Sequence, residues 1–237
     1  MATDIDRDRL VGAYLSAKTR VRSAGFSHEI EWQSSRRLSD VDEQTFLREA
    51  AWVVLSAGMR ETVVRDKFPR ISEAFLEWRS GREIVAAVPA CRQHALAVFR
   101  HEGKIDAILE IASRVARAGF IETRRCIANQ GVGYLRTFPY IGPVTAFHLA
   151  KNLGLDIVKP DRHLVRIAGA SGFASPDALC REIAAVIDEK LNVIDIVLWR
   201  FATLHRNYLD YFRAAPSQTA PGCCRRSLTR QPLPTFA

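Results

Sequence analysis

Long apolar runs are missing from this sequence of 237 residues, although hydrophobic residues make up 48% of it. No window approaches the ~18 consecutive apolar residues that a membrane-spanning helix needs. The first residues carry charges of both signs with no apolar run behind them, which is not the pattern of a secretion signal. We therefore expect a cytoplasmic protein that does not contact membranes and that has enough apolar side chains for a sizeable core.

Cysteine is scarce, and its spacing excludes the common metal-binding patterns. The five cysteines include no C-x-x-C pair and no two-plus-two arrangement of the kind that binds zinc. Their odd number and irregular spacing fit a reducing compartment better than a disulfide framework. We expect Cys91, Cys126 and Cys180, which lie in helical patterns, to be ordinary buried thiols, and we expect no metal site.

The alternation of apolar and polar residues that marks β-strands is also missing. Apolar residues recur instead with a helical period, and Gly and Pro fall between these stripes. The pattern predicts an all-α fold of about ten or eleven helices. The clearest stripes are Phe46, Ala50, Val53, Val54 and Ala57; Ile108, Ile111, Ala112, Val115 and Ala116; Leu179, Ile183 and Ile187; and Ile194, Val197, Leu198, Phe201, Leu204, Tyr208 and Tyr211.

Acidic residues are outnumbered, with 26 Asp and Glu against 34 Lys and Arg, a formal net charge of +8. This balance suits a polyanionic partner, because each neutralised phosphate releases condensed counterions. On charge alone, however, nucleic-acid binding and its absence are equally open. Residues 215–237 are rich in Pro, Ser and Gly and carry basic residues, so they are expected to form a flexible basic tail, either dispensable or in contact with DNA phosphates.

Residues 135–154 are the most informative segment, because they predict two short helices around the turn Pro139-Tyr140-Ile141-Gly142. Pro143 suits the first turn of the second helix, where its missing N–H costs nothing. A helix N-terminus beginning at glycine lets a phosphate approach unpaired N–H groups closely. Taken alone, the segment fits a phosphate-binding hairpin and a plain pair of helices equally well. Basic residues that would add charge nearby are Arg124, Arg125, Arg136 and Lys151.

Asp161 follows a proline and precedes a helical pattern, so it is predicted to cap the next helix. An aspartate in that place is most simply a structural cap. Its occurrence shortly after the hairpin is what favours a functional role.

Together with residues 52–60, these segments resemble the helix-hairpin-helix DNA glycosylase superfamily, and in particular its endonuclease III-like members. The signature of that family is a Leu-Pro-Gly-hydrophobic-Gly hairpin, a helix, and then an Asp before a His at the start of the following helix. The resemblance covers about residues 43–168. The matching residues are Phe138-Pro139-Tyr140-Ile141-Gly142 and Asp161-Arg162-His163.

The resemblance implies two helical subdomains with a DNA-binding cleft between them. One would span residues 43–155 and carry the helix-hairpin-helix motif. The other would combine residues 1–42 with residues 156–214, and residues 215–237 would follow as the tail. Asp161 would then lie at the junction, where a cleft is expected. The partner implied is double-stranded DNA, bound by a monomer.

Three departures from the family pattern refine this expectation. Tyr140 replaces the first hairpin glycine and places a ring at the turn. Val144 stands where relatives that also cleave the strand carry a Schiff-base lysine, and an apolar side chain cannot attack a sugar carbon. The region after Trp199 lacks the cysteines of an iron–sulfur loop. The resemblance therefore implies a glycosylase with a single activity and no cofactor.

The resemblance assigns Asp161 the catalytic role, because a fixed carboxylate stabilises the oxocarbenium-like sugar that forms as the base departs. The target base must leave the stack, and Met59 and Arg60 are the candidates for filling the gap. Tyr208, Trp199 and Lys159 are candidates for the base pocket. The residues expected to contact DNA are Met59, Arg60, Arg136, Tyr140, Gly142, Val144, Thr145 and His163.

Several alternatives stay open at this level. Lys159 would contact a phosphate or a substituent of the base, be merely solvated, or act as a displaced Schiff-base lysine in a bifunctional glycosylase/lyase. A non-catalytic DNA-binding protein that kept the hairpin is a further alternative, against which the acid at position 161 argues. His148 and His163 are expected to be structural or phosphate-contacting. The substrate would be a damaged base in base excision repair, or a modified base in phage DNA and hence a target of antiviral defence.

Overall fold

Residues 7–213 are described by the computed structural model, and this part of the chain is helical with no β-strand. The all-α class predicted from the sequence is confirmed. The predicted tail, residues 215–237, lies outside the described residues. The helices are α1 (Arg7–Val21), α2 (Ser27–Ser35), α3 (Glu43–Ser56), α4 (Glu61–Ala74), α5 (Gly81–Ala86), α6 (Val88–Val98), α7 (Glu102–Ala118), α8 (Phe120–Gln130), α9 (Val132–Leu135), α10 (Pro143–Asn152), α11 (Arg162–Ala170), α12 (Pro176–Ile187) and α13 (Leu191–Leu204).

Shorter helical pieces connect some of these elements. A π-type segment, Arg22–Phe26, joins α1 to α2, and 3-10 turns occupy Leu38–Asp40, Leu76–Trp78 and Tyr208–Tyr211. The thirteen α-helices within residues 7–213 exceed the ten or eleven predicted. The difference arises because α5 and α9 have only 6 and 4 residues, too few for a helical period to be recognised.

Side-chain caps fix where several helices begin. The Asp42 carboxylate accepts a hydrogen bond from the Thr45 N–H at the start of α3, and Ser80 and Ser175 cap α5 and α12 in the same way. Each cap satisfies an N–H that the helix itself leaves unpaired. Boundaries of this kind depend on local sequence, as at Ser175, which is followed by Pro176 in the first turn of α12.

Buried apolar side chains form two clusters. The first apolar cluster draws on residues 41–153 and includes Phe46, Phe75 and Trp78. The second apolar cluster draws on residues 10–30 and 158–212 and includes Tyr14 and Phe201. The subdomain boundaries given above remain a prediction, for which these two clusters are the supporting observation.

Polar contacts also join α10, which contributes to the first apolar cluster, to α13 and α2, which contribute to the second. The ammonium of Lys151, in α10, forms a buried ion pair with the carboxylate of Asp195, in α13. Gln33 Nε2 donates to the Lys151 carbonyl oxygen at 3.0 Å. Gly154, with φ of +87°, follows α10, and a Cβ there would lie 2.7 Å from the Arg37 Cα. Only glycine therefore fits this approach of the chain to the segment after α2.

Within residues 7–213 no helix combines the length and the apolar character needed to cross a membrane. Of the three cysteines in this range, Cys91 and Cys180 are buried as expected. Cys126 is only half-buried, because α8 turns that residue toward Glu122, whose Oε1 accepts a hydrogen bond from its thiol at 3.4 Å.

Candidate functional site

Asp161 caps α11, as the sequence predicted. One carboxylate oxygen, Oδ1, accepts hydrogen bonds from the N–H groups of His163 at 2.8 Å and Leu164 at 3.0 Å. The other oxygen, Oδ2, accepts no hydrogen bond from the described residues, and the side chain is half-buried. The carboxylate lies at the positive end of the α11 dipole. The cap thus fixes a carboxylate in one orientation and leaves one of its oxygens available to another group.

The chain entering this cap is held by Asp195. The Asp195 Oδ2 accepts a hydrogen bond from the Lys159 N–H at 2.6 Å, and the Asp161 N–H donates to the Lys159 carbonyl oxygen at 2.8 Å. Burial raises the pKa of Asp195, and the ammonium of Lys151 counteracts this rise. Asp195 therefore links α13, α10 and the segment before α11, and so helps to set where Asp161 lies.

The Lys159 side chain is half-buried, and its ammonium forms no hydrogen bond or ion pair with the described residues. Burial lowers its pKa, and the nearby ammonium of Lys151 lowers it further. The carboxylates of Asp161, Asp195 and Glu61 act in the opposite direction. Lys159 is thus a cation placed among other charges without a direct partner.

His148, in α10, interacts electrostatically with this lysine. Burial lowers the pKa of His148 well below its ordinary value, and the ammonium groups of Lys159 and Lys151 add to the effect. The imidazole is therefore neutral at neutral pH. His163 belongs to a different contact, because its Nδ1 lies 3.2 Å from the Tyr208 hydroxyl.

The turn before α10 leaves two N–H groups unpaired. Thr145 Oγ1 accepts a hydrogen bond from the Gly142 N–H at 2.6 Å, so this N–H is already satisfied. Pro143 has no N–H, while the N–H groups of Val144 and Thr145 find no acceptor in the described structure. The N-terminus of α10 accordingly presents two donors, with the Val144 side chain exposed beside them.

Tyr140 occupies the hairpin turn with a backbone φ of +61°, the left-handed region that favours glycine. Its side chain is 46% exposed. The ring meets His101 edge-on, with the centroids 6.1 Å apart, and the hydroxyl lies against Gly103. The ring is therefore positioned by the first turn of α7, even though nearly half of it faces solvent.

The loop after α3 is held by a lysine that sequence reasoning missed. Lys104 is buried, and its Nζ donates to the carbonyl oxygens of Leu55 at 2.7 Å and Ala57 at 2.6 Å. Burial lowers its pKa. The exposed residues Met59 and Arg60 follow directly. The available signal was that Lys104 precedes Ile108 by four residues, which places a charge on the apolar face of α7.

The other basic candidates differ in their availability to DNA. Arg136 is exposed, and no ion pair or hydrogen bond engages its guanidinium within residues 7–213. Arg124 donates to the carbonyl oxygens of Ser39 and Val41, and Arg125 pairs with Glu122. The expectation that Lys151 adds charge at the DNA is wrong, because its ammonium is buried against Asp195.

Tyr208 and Trp199, the two aromatic candidates for the base pocket, each contact a charged or titratable side chain. Tyr208 is buried, with its hydroxyl on His163. Trp199 is half-buried, and the Arg200 guanidinium lies over its ring, 4.7 Å from the centroid. Trp199 follows Asp195 by one helical turn and so lies on the same side of α13. The pocket role proposed for each remains a prediction.

Within the described range, no group of three or more His, Cys, Asp or Glu side chains is placed to hold a metal ion. Comparison of the chain with models of known protein families, with curated proteins and with solved structures found no match.

Proposed function

We propose that this chain is a monofunctional DNA glycosylase, which hydrolyses the N-glycosidic bond of a damaged or modified base in double-stranded DNA and leaves an abasic site. The observation that carries the proposal is the Asp161 carboxylate, which two N–H groups fix through one oxygen, while the other oxygen accepts no hydrogen bond from residues 7–213. Asp195, a buried acid, holds the segment before Asp161 by accepting a hydrogen bond from the Lys159 N–H.

Hydrolysis of the N-glycosidic bond requires a fixed negative charge beside the sugar, because the sugar becomes positive in the transition state. As the base departs, an ionised Asp161 stabilises the oxocarbenium-like sugar and orients or deprotonates the attacking water. At about 4 Å and an effective dielectric constant of about 20, such a pair contributes ~4 kcal/mol, which corresponds to about a thousandfold in rate. This is the scale of the loss expected when the charge is removed.

For DNA binding, α9, the turn and α10 would form a helix-hairpin-helix motif at the edge of a cleft. The two unpaired N–H groups of Val144 and Thr145 suit a phosphate, since the α10 dipole adds a positive potential there. Arg136 is exposed near the same turn and would add a phosphate contact. Met59 and Arg60, exposed on the loop after α3, are the residues that would enter the stack when the base flips out.

Val144 favours a single activity, because its side chain cannot form a Schiff base with the sugar. The bifunctional alternative has one observation in its favour, because Lys159 carries a lowered pKa and no direct partner, and a lysine of that kind is a better nucleophile. Reduction with borohydride decides between the two: a lyase that uses Lys159 is trapped as a covalent protein–DNA adduct, whereas a monofunctional glycosylase is not.

The experiment that tests the proposal incubates duplexes carrying different modified bases with the protein and detects released base by mass spectrometry. Asp161→Asn is the decisive variant, because asparagine caps a helix about as well as aspartate but carries no charge. We expect it to fold and bind duplex DNA while losing about a thousandfold in excision rate. Asp42→Asn changes a second capping aspartate, at the start of α3, and should retain full activity.

Two other outcomes would revise the proposal. If no duplex loses a base while the protein still binds DNA, the chain is a non-catalytic DNA-binding protein. If bases are released equally by the wild type and by Asp161→Asn, another group supplies the charge. The panel should include both lesions of base excision repair and the substituted cytosines of phage DNA, since its result assigns the protein to repair or to antiviral defence.

A further inference from the structure

The connection between α10 and α11, residues 155–161, is held against one side of α13. Where the connection begins, the Asn192 N–H donates a hydrogen bond to Asp156 Oδ1 at 3.0 Å. Nearer its end, Asp195 Oδ2 accepts a hydrogen bond from the Lys159 N–H at 2.6 Å. Asn192 and Asp195 are both buried and three positions apart, so they lie on the same side of the helix. The part of the connection that leads into α11 is therefore fixed to α13.

The second oxygen of the Asp195 carboxylate binds α10. Asp195 Oδ1 forms the buried ion pair with the ammonium of Lys151, which lies in the last turn of α10. The two residues are only 1% and 5% exposed, so solvent screens their attraction little. One carboxylate thus holds both α10 and the segment that leads to Asp161.

α10 joins this carboxylate to the two donors that we propose bind a DNA phosphate. The helix has 10 residues and is therefore ~15 Å long. Its first turn carries the unpaired N–H groups of Val144 and Thr145, and its last turn is fixed to Asp195 through Lys151. A site built on a continuous helix is held more precisely than one built on a loop. The two donors therefore have a defined position relative to Asp195.

A short series of hydrogen bonds joins the same carboxylate to Asp161. Asp195 binds the Lys159 N–H, and the Lys159 carbonyl oxygen accepts from the Asp161 N–H at 2.8 Å. Asp161 Oδ1 in turn accepts from the N–H groups of His163 and Leu164. The Asp161 carboxylate is therefore fixed both to its own helix and, through Asp195, to α10.

This placement bears on the proposed reaction, because the stabilisation of a positive sugar depends on its distance from the carboxylate. DNA bound by its backbone to the start of α10 has its sugars placed by that helix. A misplacement of about 1 Å, caused by a change far from the chemistry, can cost about a hundredfold in rate. Asp161 must therefore be fixed relative to α10 as well as to α11.

We propose that Asp195 is a positioning residue that couples DNA-backbone binding at the start of α10 to the reaction at Asp161. Its two carboxylate oxygens set the distance between the phosphate-binding donors and the catalytic carboxylate. Asp195 acts without touching DNA and transfers no proton. The inference rests on the proposed glycosylase function and identifies the residue that aligns the bound strand with the acid.

The test uses two double variants that remove the buried ion pair and leave no buried charge in its place. Lys151→Met/Asp195→Asn keeps an oxygen that can accept from the Lys159 N–H, whereas Lys151→Met/Asp195→Leu removes that acceptor. Replacing both members of a buried ion pair by neutral residues is often tolerated, and urea denaturation checks that each protein is folded. If the leucine variant does not fold, Lys151→Met/Asp195→Ala replaces it, because alanine removes the same acceptor without adding volume.

Lys18→Met/Glu189→Gln serves as the matched control, because it removes another ion pair, between α1 and the residues before α13. Within residues 7–213, neither Lys18 nor Glu189 forms a hydrogen bond or ion pair with residues 155–161. Glutamine keeps an acceptor for the Tyr14 hydroxyl. Each protein is measured for duplex affinity by fluorescence anisotropy, for the single-turnover rate of base release at saturating enzyme, and for hydrogen exchange in residues 159–164.

We expect all three double variants to bind duplex DNA as tightly as the wild type, because the donors at the start of α10 are intact. Lys151→Met/Asp195→Leu should release base about a hundredfold more slowly, the scale for a misplaced catalytic group. Its hydrogen exchange in residues 159–164 should be faster. Lys151→Met/Asp195→Asn should retain most of the wild-type rate, and Lys18→Met/Glu189→Gln should match the wild type in all three measurements.

The inference is overturned if the leucine and asparagine variants release base at the same rate, since the bond to the Lys159 N–H then has no part in placing Asp161. It is also overturned if the leucine variant loses duplex affinity but keeps its single-turnover rate, or if Lys18→Met/Glu189→Gln is slowed equally. These results leave the glycosylase function intact. If the wild type releases no base from any duplex, the proposed function itself fails and the inference fails with it.

Discussion

A Cβ added to Gly103 would lie 2.5 Å from the hydroxyl oxygen of Tyr140. The close approach of the Tyr140 hydroxyl to the first turn of α7 therefore depends on the absence of a side chain at residue 103. The next residue, Lys104, binds the carbonyl oxygens of Leu55 and Ala57. One turn of α7 is thus in contact with both segments that we expect to bind DNA.

Gly103→Ala should displace the Tyr140 ring without unfolding the protein, because the atom it meets is at the end of a side chain that can move. Alanine is also a better helix residue than glycine by up to ~1 kcal/mol, so thermal stability should be kept or slightly raised. If the ring contacts DNA, duplex affinity should fall by about tenfold, or ~1.4 kcal/mol, as measured by fluorescence anisotropy.

Tyr140→Phe should restore the duplex affinity that Gly103→Ala loses. Without the hydroxyl, the nearest ring atom to an added Cβ is Cζ at 3.4 Å, an ordinary contact. The double variant Gly103→Ala/Tyr140→Phe should therefore regain the affinity that Gly103→Ala loses, and Tyr140→Phe alone should bind as the wild type does. If Gly103→Ala leaves affinity unchanged, Tyr140 has no part in DNA binding at that position.

Lys104→Met should loosen the loop that carries Met59 and Arg60. The variant keeps the apolar stem but leaves the Leu55 and Ala57 carbonyl oxygens without a donor, at a cost of ~1–3 kcal/mol in unfolding free energy. Hydrogen exchange should speed up at the end of α3 and in residues 57–60. The matched variant is Lys67→Met, since Lys67 also donates to a backbone carbonyl, that of Val98, at a place away from this loop. Equal exchange in the two variants would show that Lys104 does not hold the loop.

Lys151→Met should be strongly destabilising, because it leaves the buried Asp195 carboxylate without its counter-charge. Loss of one member of a buried pair costs ~3–5 kcal/mol, which urea denaturation would resolve. The double variant Lys151→Met/Asp195→Asn should recover much of this loss, since the introduced amide would be neutral and its oxygen could still accept from the Lys159 N–H. A double variant as unstable as Lys151→Met would mean that packing, and not charge, explains the effect.

Acidification should destabilise the protein partly through His148. Its pKa is held well below its ordinary value in the folded protein, so the unfolded chain binds more protons once the pH falls below about 6.5. The stability contributed by the neutral imidazole is complete above that pH and is lost as the pH falls, by up to ~1.4 kcal/mol per pH unit. His148→Gln should flatten the fall in unfolding free energy between about pH 6.5 and 5. His94→Gln, at an exposed position, is the matched control, and equal slopes for both variants would exclude His148 as the cause.

Features that depend on neighbouring residues were accessible from the sequence. Helical periodicity predicted the all-α class, and the Pro-Asp pattern predicted the Asp161 cap that the structure contains. The start of α10 at Pro143 follows from the same kind of local rule. Each depends on bonds between residues a few positions apart, whose chemistry the residue types largely determine.

Contacts between distant residues were not accessible in this way. Lys151 was expected to add charge near the hairpin, yet its partner Asp195 comes from a helix far along the chain. Lys104 and Gly103 have similarly remote partners. The turn Leu76–Trp78 has positive φ at three successive residues that are not glycine, and it is stabilised by a remote bond from Gln44 Nε2 to the Glu77 carbonyl oxygen. No local rule predicts such conformations, because tertiary contacts offset their strain.

The make-up of the second apolar cluster has a consequence for synthesis on the ribosome. Its residues come from 10–30 and from 158–212, whereas the first apolar cluster is complete within residues 41–153. At about 5–20 residues per second, α1 and α2 emerge ~10–35 s before α13 exists. Throughout that interval α1 lacks its contacts with α13, whereas every residue of the first apolar cluster has already been synthesised. The N-terminal helices are therefore the part of the nascent protein most exposed to chaperones and to misassociation.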